Sequence, residues 1–203
     1  MPGVAEADLA PPAGAPDGSE ATARIAAFAA RVAPLGVRVE RVASSAEAAQ
    51  YLATLRVDAG APRLTIAGEV ASAAPNLIAA LTEAGVPWRI PATVEEARDA
   101  PLGVSLAKLA VEETGSFLLN EPSLADRAVG LISKLHVALV PVKRLVPSLA
   151  DAAPVLREIA QRPGGGYASF ITGPSRTADI ELSLTIGVQG PEAEIVLFVD
   201  RLE

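Results

Sequence analysis

The stretch VRVERVASSAEAAQYLATLRVDAGAPRLTIA, residues 37–67, decides the fold class. Val37 to Val42 alternates apolar and charged residues, the period-two pattern of a half-buried strand. Ser44 or Ser45 then offers a hydroxyl cap to a helix that runs to about Arg56. The apolar side of that helix carries Ala48, Tyr51, Leu52 and Leu55. Asp58, Gly60 and Pro62 supply turn chemistry, and Leu64 to Ala67 is a short buried strand. Strand, helix and strand in so short a span make a parallel βαβ unit.

The alternation continues on both sides. Upstream, Ser19 opens a helix from Glu20 to about Ala33, with Ile25, Phe28, Ala29 and Val32 on one face and Pro34 and Gly36 ending it. Downstream come a helix from Pro75 to Ala84, a short strand from Trp88 to Ile90 and a short helix from Thr93 to Arg98. Past Pro101 the character changes. Leu102–Leu106, Ala110–Glu113 and Ser116–Leu119 read as three short strands, with Thr114-Gly115 as the turn of a hairpin set into the parallel pattern. A weakly patterned helix covers Ser123 to Leu131, and a strongly apolar strand covers Val137 to Val142. Ser148 caps a helix from Leu149 to Ala160. Strands at Ala168–Ile171, Leu184–Val188 and Ile195–Val199 complete the chain. The residues alone specify a three-layer α/β fold with a mixed sheet. Residues 1–19, rich in Pro, Ala and Gly, are expected to form a flexible arm before one α/β domain spanning residues 20–203.

Composition narrows the function classes. Half of the 203 residues are hydrophobic but only 3% are aromatic, so the core is built from Ala, Val, Leu and Ile. The net charge of −7, without a basic block, argues against nucleic acid or an anionic membrane surface as partner. No apolar run approaches the roughly 18 residues of a membrane span. The first residues carry neither the basic nor the apolar region of a secretory signal, and a cytoplasmic location is the default expectation. The absence of cysteine excludes disulfides, Cys-ligated zinc and Cys-ligated iron–sulfur clusters within these residues. With a single histidine, no metal site and no bound cofactor are expected in this chain. Neither a dinucleotide fingerprint nor a Walker A loop is present. Gly164-Gly165-Gly166 follows a helix and precedes a strand, the order of a linker rather than a phosphate loop.

Candidate chemistry gathers in ITGPSRTADIELSLTIGVQGP, residues 171–191. Gly173-Pro174 fixes a turn, and Ser175, Arg176, Thr177, Asp179 and Glu181 follow it. A short helix starting at Ser175 or Thr177 would aim free amides at an anion, and the Arg176 fork would add a charge-assisted contact. Such a cradle for a small carboxylate or phosphate is expected at the carboxyl end of a sheet strand. In the alternative, Arg176 pairs with Asp179 or Glu181 and holds the turn. Glu112 and Glu113 point to opposite faces, so one of them can enter a cleft as a base or nucleophile, or cap the amides of the turn. His136 opens an apolar strand with no nucleophile beside it in sequence, where a hydrogen-bonded structural role is the ordinary one.

ITGPSRTADIE with GVQGP, VEETGSFLL at 111–119 and KLHVALVP at 134–141 together resemble the motifs of the LUD-domain family, lactate-utilisation protein C type, in the family's order. The resemblance runs from about Pro101 to Asp200. It implies a Rossmann-like three-layer sandwich with a mostly parallel sheet, the fold of sugar-phosphate isomerases and CoA transferases. By this resemblance Glu113 matches the glutamate of the family's ETG segment and is the catalytic candidate. Thr114, Gly115, His136, Gly173, Ser175, Arg176, Thr177, Asp179 and Gln189 are the expected ligand-binding residues. Two positions depart from the family pattern. Gln189 stands where the family usually carries histidine, which puts any role needing an imidazole there in doubt. Lys108 stands near an acidic position of the family. The resemblance implies a non-redox accessory subunit of a system oxidising L-lactate to pyruvate, with iron–sulfur proteins as partners. The alternatives are a stand-alone CoA-transferase-like or sugar-phosphate enzyme using Glu113, or a ligand-binding module without catalysis.

Overall fold

The computed structural model describes residues 12, 16, 18–162, 166–177, 185–188 and 190–202. The arm expected over residues 1–19 lies mostly outside them, as do Gly164 and Gly165. In chain order the elements are α1 (Glu20–Val32), β1 (Arg38–Ser44), α2 (Ser45–Asp58), β2 (Leu64–Ile66), α3 (Gly68–Ala73), α4 (Pro75–Glu83), β3 (Trp88–Arg89) and α5 (Val94–Ala97). Then come β4 (Leu102–Leu106), β5 (Leu109–Val111), β6 (Ser116–Leu119), α6 (Leu124–Ile132), β7 (Leu135–Pro141), β8 (Leu145–Val146) and α7 (Ala153–Gln161). The remaining strands are β9 (Ser169–Ile171), β10 (Arg176–Thr177), β11 (Thr185–Ile186) and β12 (Ala193–Arg201).

Six strands form a wholly parallel sheet in the order β1-β12-β7-β4-β2-β3. The adjacent inner strands β7 and β12 are apolar on both faces over most of their length, as buried parallel strands must be. On one face, Val137, Leu139 and Leu197 pack with Leu52 of α2 and with Leu77 and Leu81 of α4. On the other, Ala138, Val140, Val196 and Phe198 meet Phe28 and Val32 of α1 and Phe117 and Leu119 of β6. β6 belongs to a second sheet, β8-β5-β6-β9, whose far side buries Leu109, Val111 and Leu118 against Val155 and Ile159 of α7. The architecture is thus α/β with a mostly parallel central sheet, and a four-stranded sheet replaces part of one helical layer. Among the described residues no helix is long and apolar enough to cross a membrane.

Local chemistry sets the helix starts. The Ser44 hydroxyl accepts from the Glu47 amide, and the Ser123 hydroxyl accepts from the Asp126 amide. The helix expected from Leu149 begins instead as a 3-10 turn, Leu149–Ala152, before α7. Asp151 accepts from both the amide and the hydroxyl of Ser148 and closes that turn.

Three elements differ from expectation. Helix α3 lies in an alanine-rich stretch that offers too little apolar contrast to show a face. Glu112 and Glu113 leave β5 and belong to the hairpin turn, where Gly115 has φ 70° and donates its amide to Val111. Arg176 and Thr177 form a strand, not a helix start, and pair antiparallel with Thr185 and Ile186 in a separate ribbon. The Gly187 amide donates to the Ser175 carbonyl and ties that ribbon's two ends together. The apolar run expected at 184–188 therefore does not join β12 in one sheet.

Candidate functional site

The chain leaves the second sheet at β9, makes the ribbon, and enters the first sheet at β12. The Ser175 amide donates to the Pro191 carbonyl at 2.9 Å, which brings the two ends of this passage together. Between them and the end of α6 lies a cleft of about 170 Å³. Ile171, Gly173 and Ser175 form one lip, and Gly190 and Pro191 the other. Gly130 and Leu131 of α6 and the side of Glu194 complete it. Gly190 is required for this closeness, because a Cβ there would stand 2.8 Å from the Ser175 Cβ and 3.1 Å from the Leu131 carbonyl.

The cleft sits at the amino ends of the central strands. Glu194 and His136 are register partners near the starts of β12 and β7. Residues 173–177 do follow a strand, as expected, but it is β9 of the second sheet, antiparallel to β6. Residues 173–177 thus stand at the carboxyl end of a sheet strand, though an antiparallel one, while the cleft meets the amino end of β12. The cause is the topology: the 171–191 passage returns to the start of β12, so it meets that strand's amino end.

Behind Glu194 lies a row of buried polar groups. Nδ1 of His136 is 2.9 Å from Oε1 of Glu194, and both side chains are fully buried. Beyond this pairing, no hydrogen bond reaches Nε2 of His136 or Oε2 of Glu194 among the described residues. Ser105 of β4 and Glu121 just beyond β6 are buried in the same row, where the Ser105 hydroxyl acts on the Glu121 carboxyl. A Cβ on Gly130 would lie 3.5 Å from the Ser105 hydroxyl and 3.6 Å from Nε2 of His136, so this glycine leaves both polar atoms facing one small space. The Phe117 ring, 6.0 Å between centroids, closes another side of the imidazole.

Electrostatics in this row favour held protons. Burial pushes the Glu121 carboxyl up to about 7, against the pull of Ser105 and His136, while Glu69 and Asp126 push it further up. Burial alone would lower His136, but the carboxylates of Glu194 and Glu121 outweigh it and raise its proton affinity. Burial likewise raises Glu194, with His136 pulling the other way. Lys108 forms a buried ion pair with Glu69. The charge reversal noted in the sequence is thereby balanced inside the fold.

The other expected site residues lie elsewhere. Arg176 is exposed and donates from Nη2 to the Leu35 carbonyl at 2.6 Å, anchoring the ribbon to the turn after α1. Oε2 of Glu113 accepts from the Leu149 amide at 3.1 Å, so its carboxylate caps the 3-10 turn rather than its own hairpin. The Thr114 hydroxyl accepts from the Ser116 amide, and the Ser116 hydroxyl meets that of Thr172 at 2.7 Å. Gly115 presses on α1, where a Cβ would stand 2.4 Å from Val32. Thr177 pairs with Thr185 in the ribbon. None of Glu113, Thr114, Gly115, Arg176 and Thr177 lines the cleft; Gly173 and Ser175 do, and His136 reaches it through Glu194. Asp179, Glu181 and Gln189 lie outside the described residues. Sequence reasoning missed Glu194, Ser105, Glu121 and Gly130. Its only available signal was an acid opening the apolar run EIVLFV, which ordinarily reads as a solvated strand end.

The family model of the LUD domain matches residues 25–199. The chain belongs to the LUD domain family. Both the cleft and the His136–Glu194 pair fall inside the matched residues of this LUD domain. Among similar proteins, lactate utilization protein C of Geobacillus kaustophilus is 33% identical over 111 residues, covering 53% of this chain and 46% of that protein. The same-named protein of Shouchella clausii is 34% identical over 112 residues, covering 53% and 48%. That of Bacillus subtilis is 32% identical over 114 residues, covering 53% and 46%. The LUD domain described here thus spans about half the length of the curated relatives it matches. A crystal structure of a DUF162 family protein from Deinococcus radiodurans shares the fold, with a TM-score of 0.60 and 20% identity, covering 88% of this chain and 98% of that one.

Proposed function

We propose that this LUD domain is a non-redox accessory component of lactate utilisation. In this reading it holds a small carboxylate or phosphate in the cleft between α6 and the 171–191 passage. Conversion of L-lactate to pyruvate is carried by iron–sulfur partner proteins, since these 203 residues offer no cysteine to ligate a cluster. The observation that carries the reading is the roughly one-third identity to lactate utilization protein C of several bacteria. The site supports it in scale, because about 170 Å³ suits a ligand of a few heavy atoms and is well below a drug-sized pocket. Ser175 on the lip offers a hydroxyl.

Deletion of the gene in its host tests the reading. Growth on L-lactate is expected to fail and to return with the wild-type chain. Affinity purification is expected to recover an iron–sulfur protein. Normal lactate growth in the deletion strain, together with no iron–sulfur partner recovered, would overturn it.

A further inference from the structure

We propose that binding of a small carboxylate in the cleft is coupled to uptake of a proton by the buried row behind it, Glu121, His136 and Glu194, so that the site holds its ligand at acid pH and releases it as the row loses that proton. The proposal rests on the carboxylate-binding reading above and adds how the same site is regulated. Gly130 is the partition between cleft and row. It lines the cleft, and a Cβ on it would lie 3.6 Å from Nε2 of His136. Glu194 also contributes to the cleft wall, while its side chain is fully buried beside Nδ1 of His136. Among the described residues the lining carries no lysine or arginine. Compensation for a bound anion therefore falls to the groups behind the wall.

The charge of the row turns on one proton. With both carboxyls ionised and the imidazole protonated, the row carries one net negative charge, and one more proton makes it neutral. A net charge in a buried row is unfavourable, and an anion across the wall makes it more so. The anion therefore favours the protonated row, and by reciprocal linkage the protonated row favours the anion. The surrounding charges are already engaged. Lys108 is paired with Glu69, and Asp126 accepts from the Gly68 amide at 2.6 Å and from the Ser123 hydroxyl at 2.7 Å. Arg127 donates from Nε to the Glu121 main-chain carbonyl. Ser105 of β4 and Phe117 of β6 bring no charge to the row. The Glu121 carboxyl, lifted to about 7 chiefly by burial, sets the change near neutrality, and His136 is raised in the same direction. The proton comes from solvent and rests on a carboxyl oxygen; no other bond forms or breaks.

Calorimetric titration of the full chain with pyruvate and with L-lactate tests the proposal, run from pH 6 to pH 8 in pairs of buffers that differ in heat of ionisation. Both ligands stay ionised across this range, so any proton taken up goes to the protein. Affinity is expected to fall about fivefold from pH 6 to pH 8, and the heat near pH 7 to differ between buffers in the sense of proton uptake. Glu121→Gln removes the carboxyl that loses its proton near neutrality. It is expected to bind pyruvate equally at pH 6 and pH 8, with heats that no longer depend on the buffer. A wild-type affinity that is unchanged or higher at pH 8, with buffer-independent heats, overturns the coupling and leaves the carboxylate reading standing. Undiminished proton uptake in Glu121→Gln overturns the assignment to this row. Binding of neither ligand at pH 6 overturns the proposal together with the carboxylate reading. Should the Glu121 variant fail to fold, the wild-type proton count alone decides.

Discussion

Glu121 titrates where the fold responds to it. The residue is 2% exposed and its carboxyl is raised from 4.5 to about 7, chiefly by burial. Ser105, His136, Glu69 and Asp126 are the groups that act on it. A carboxyl whose folded value is raised adds stability that is complete below about pH 4.5 and is lost as the pH climbs through about 7. The size of that change is on the order of 3 kcal/mol. His136 is also raised and acts with the same sign. The melting temperature is therefore expected to fall between pH 5 and pH 8, and Glu121→Gln to flatten the slope while leaving the residual share of His136. Parallel profiles for wild type and variant would show that this carboxyl does not carry the effect. A second expectation concerns Gly130→Ala, whose Cβ would meet Leu119 at 2.9 Å and fill the space before Ser105 and His136. Ligand affinity should drop with little change in melting temperature, because the Leu119 methyl can give way; calorimetry and a thermal melt separate the two. These residues were not legible in the sequence. Glu194 is buried only because β12 lies between β1 and β7, and no local pattern reports its neighbours. His136 was legible as unusual, but its partner lies far along the chain.

Elements governed by local chemistry were legible, and those governed by pairing were not. Ser44, Ser123 and Ser148 mark helix starts that a hydroxyl and nearby amides determine between them. By contrast, β11 and β12 were both read as strands but join different sheets, a choice made by their pairing partners. Arg176 and Thr177 show the same limit: hairpin pairing overrides their local suitability for a helix start. The α1 helix was legible through its apolar face, and its docking can be tested. Phe28 is fully buried and meets Phe198 edge-on, with ring centroids 5.3 Å apart. Phe28→Ala is expected to cost about 3–5 kcal/mol, read as a lower urea midpoint at an unchanged slope. A loss below about 1 kcal/mol would mean that α1 is peripheral to the fold.

At the scale of the molecule, the parallel sheet followed from the strand–helix alternation, whereas the second sheet appeared in the sequence only as a hairpin and a separate strand at 168–171. The reason is that β8 is two residues long and leaves no periodicity to read, and that the pairing of β9 with β6 joins partners remote in sequence. Stability should be distributed accordingly. Native-state hydrogen exchange is expected to be slowest in β7 and β12 and much faster in the β10–β11 ribbon, near which Ile186 and Val188 are exposed. Equal protection of the ribbon and β7 would contradict this distribution. The cleft lies where the covalent passage between the two sheets closes on itself, through the bond from Ser175 to Pro191. A molecule seated there would work as a rivet, touching the strand that enters one sheet and the loop that leaves the other. Its binding should slow amide exchange at the end of β9 and at the start of β12 together, whereas a ligand held by only one sheet would protect one side and leave the other free to breathe.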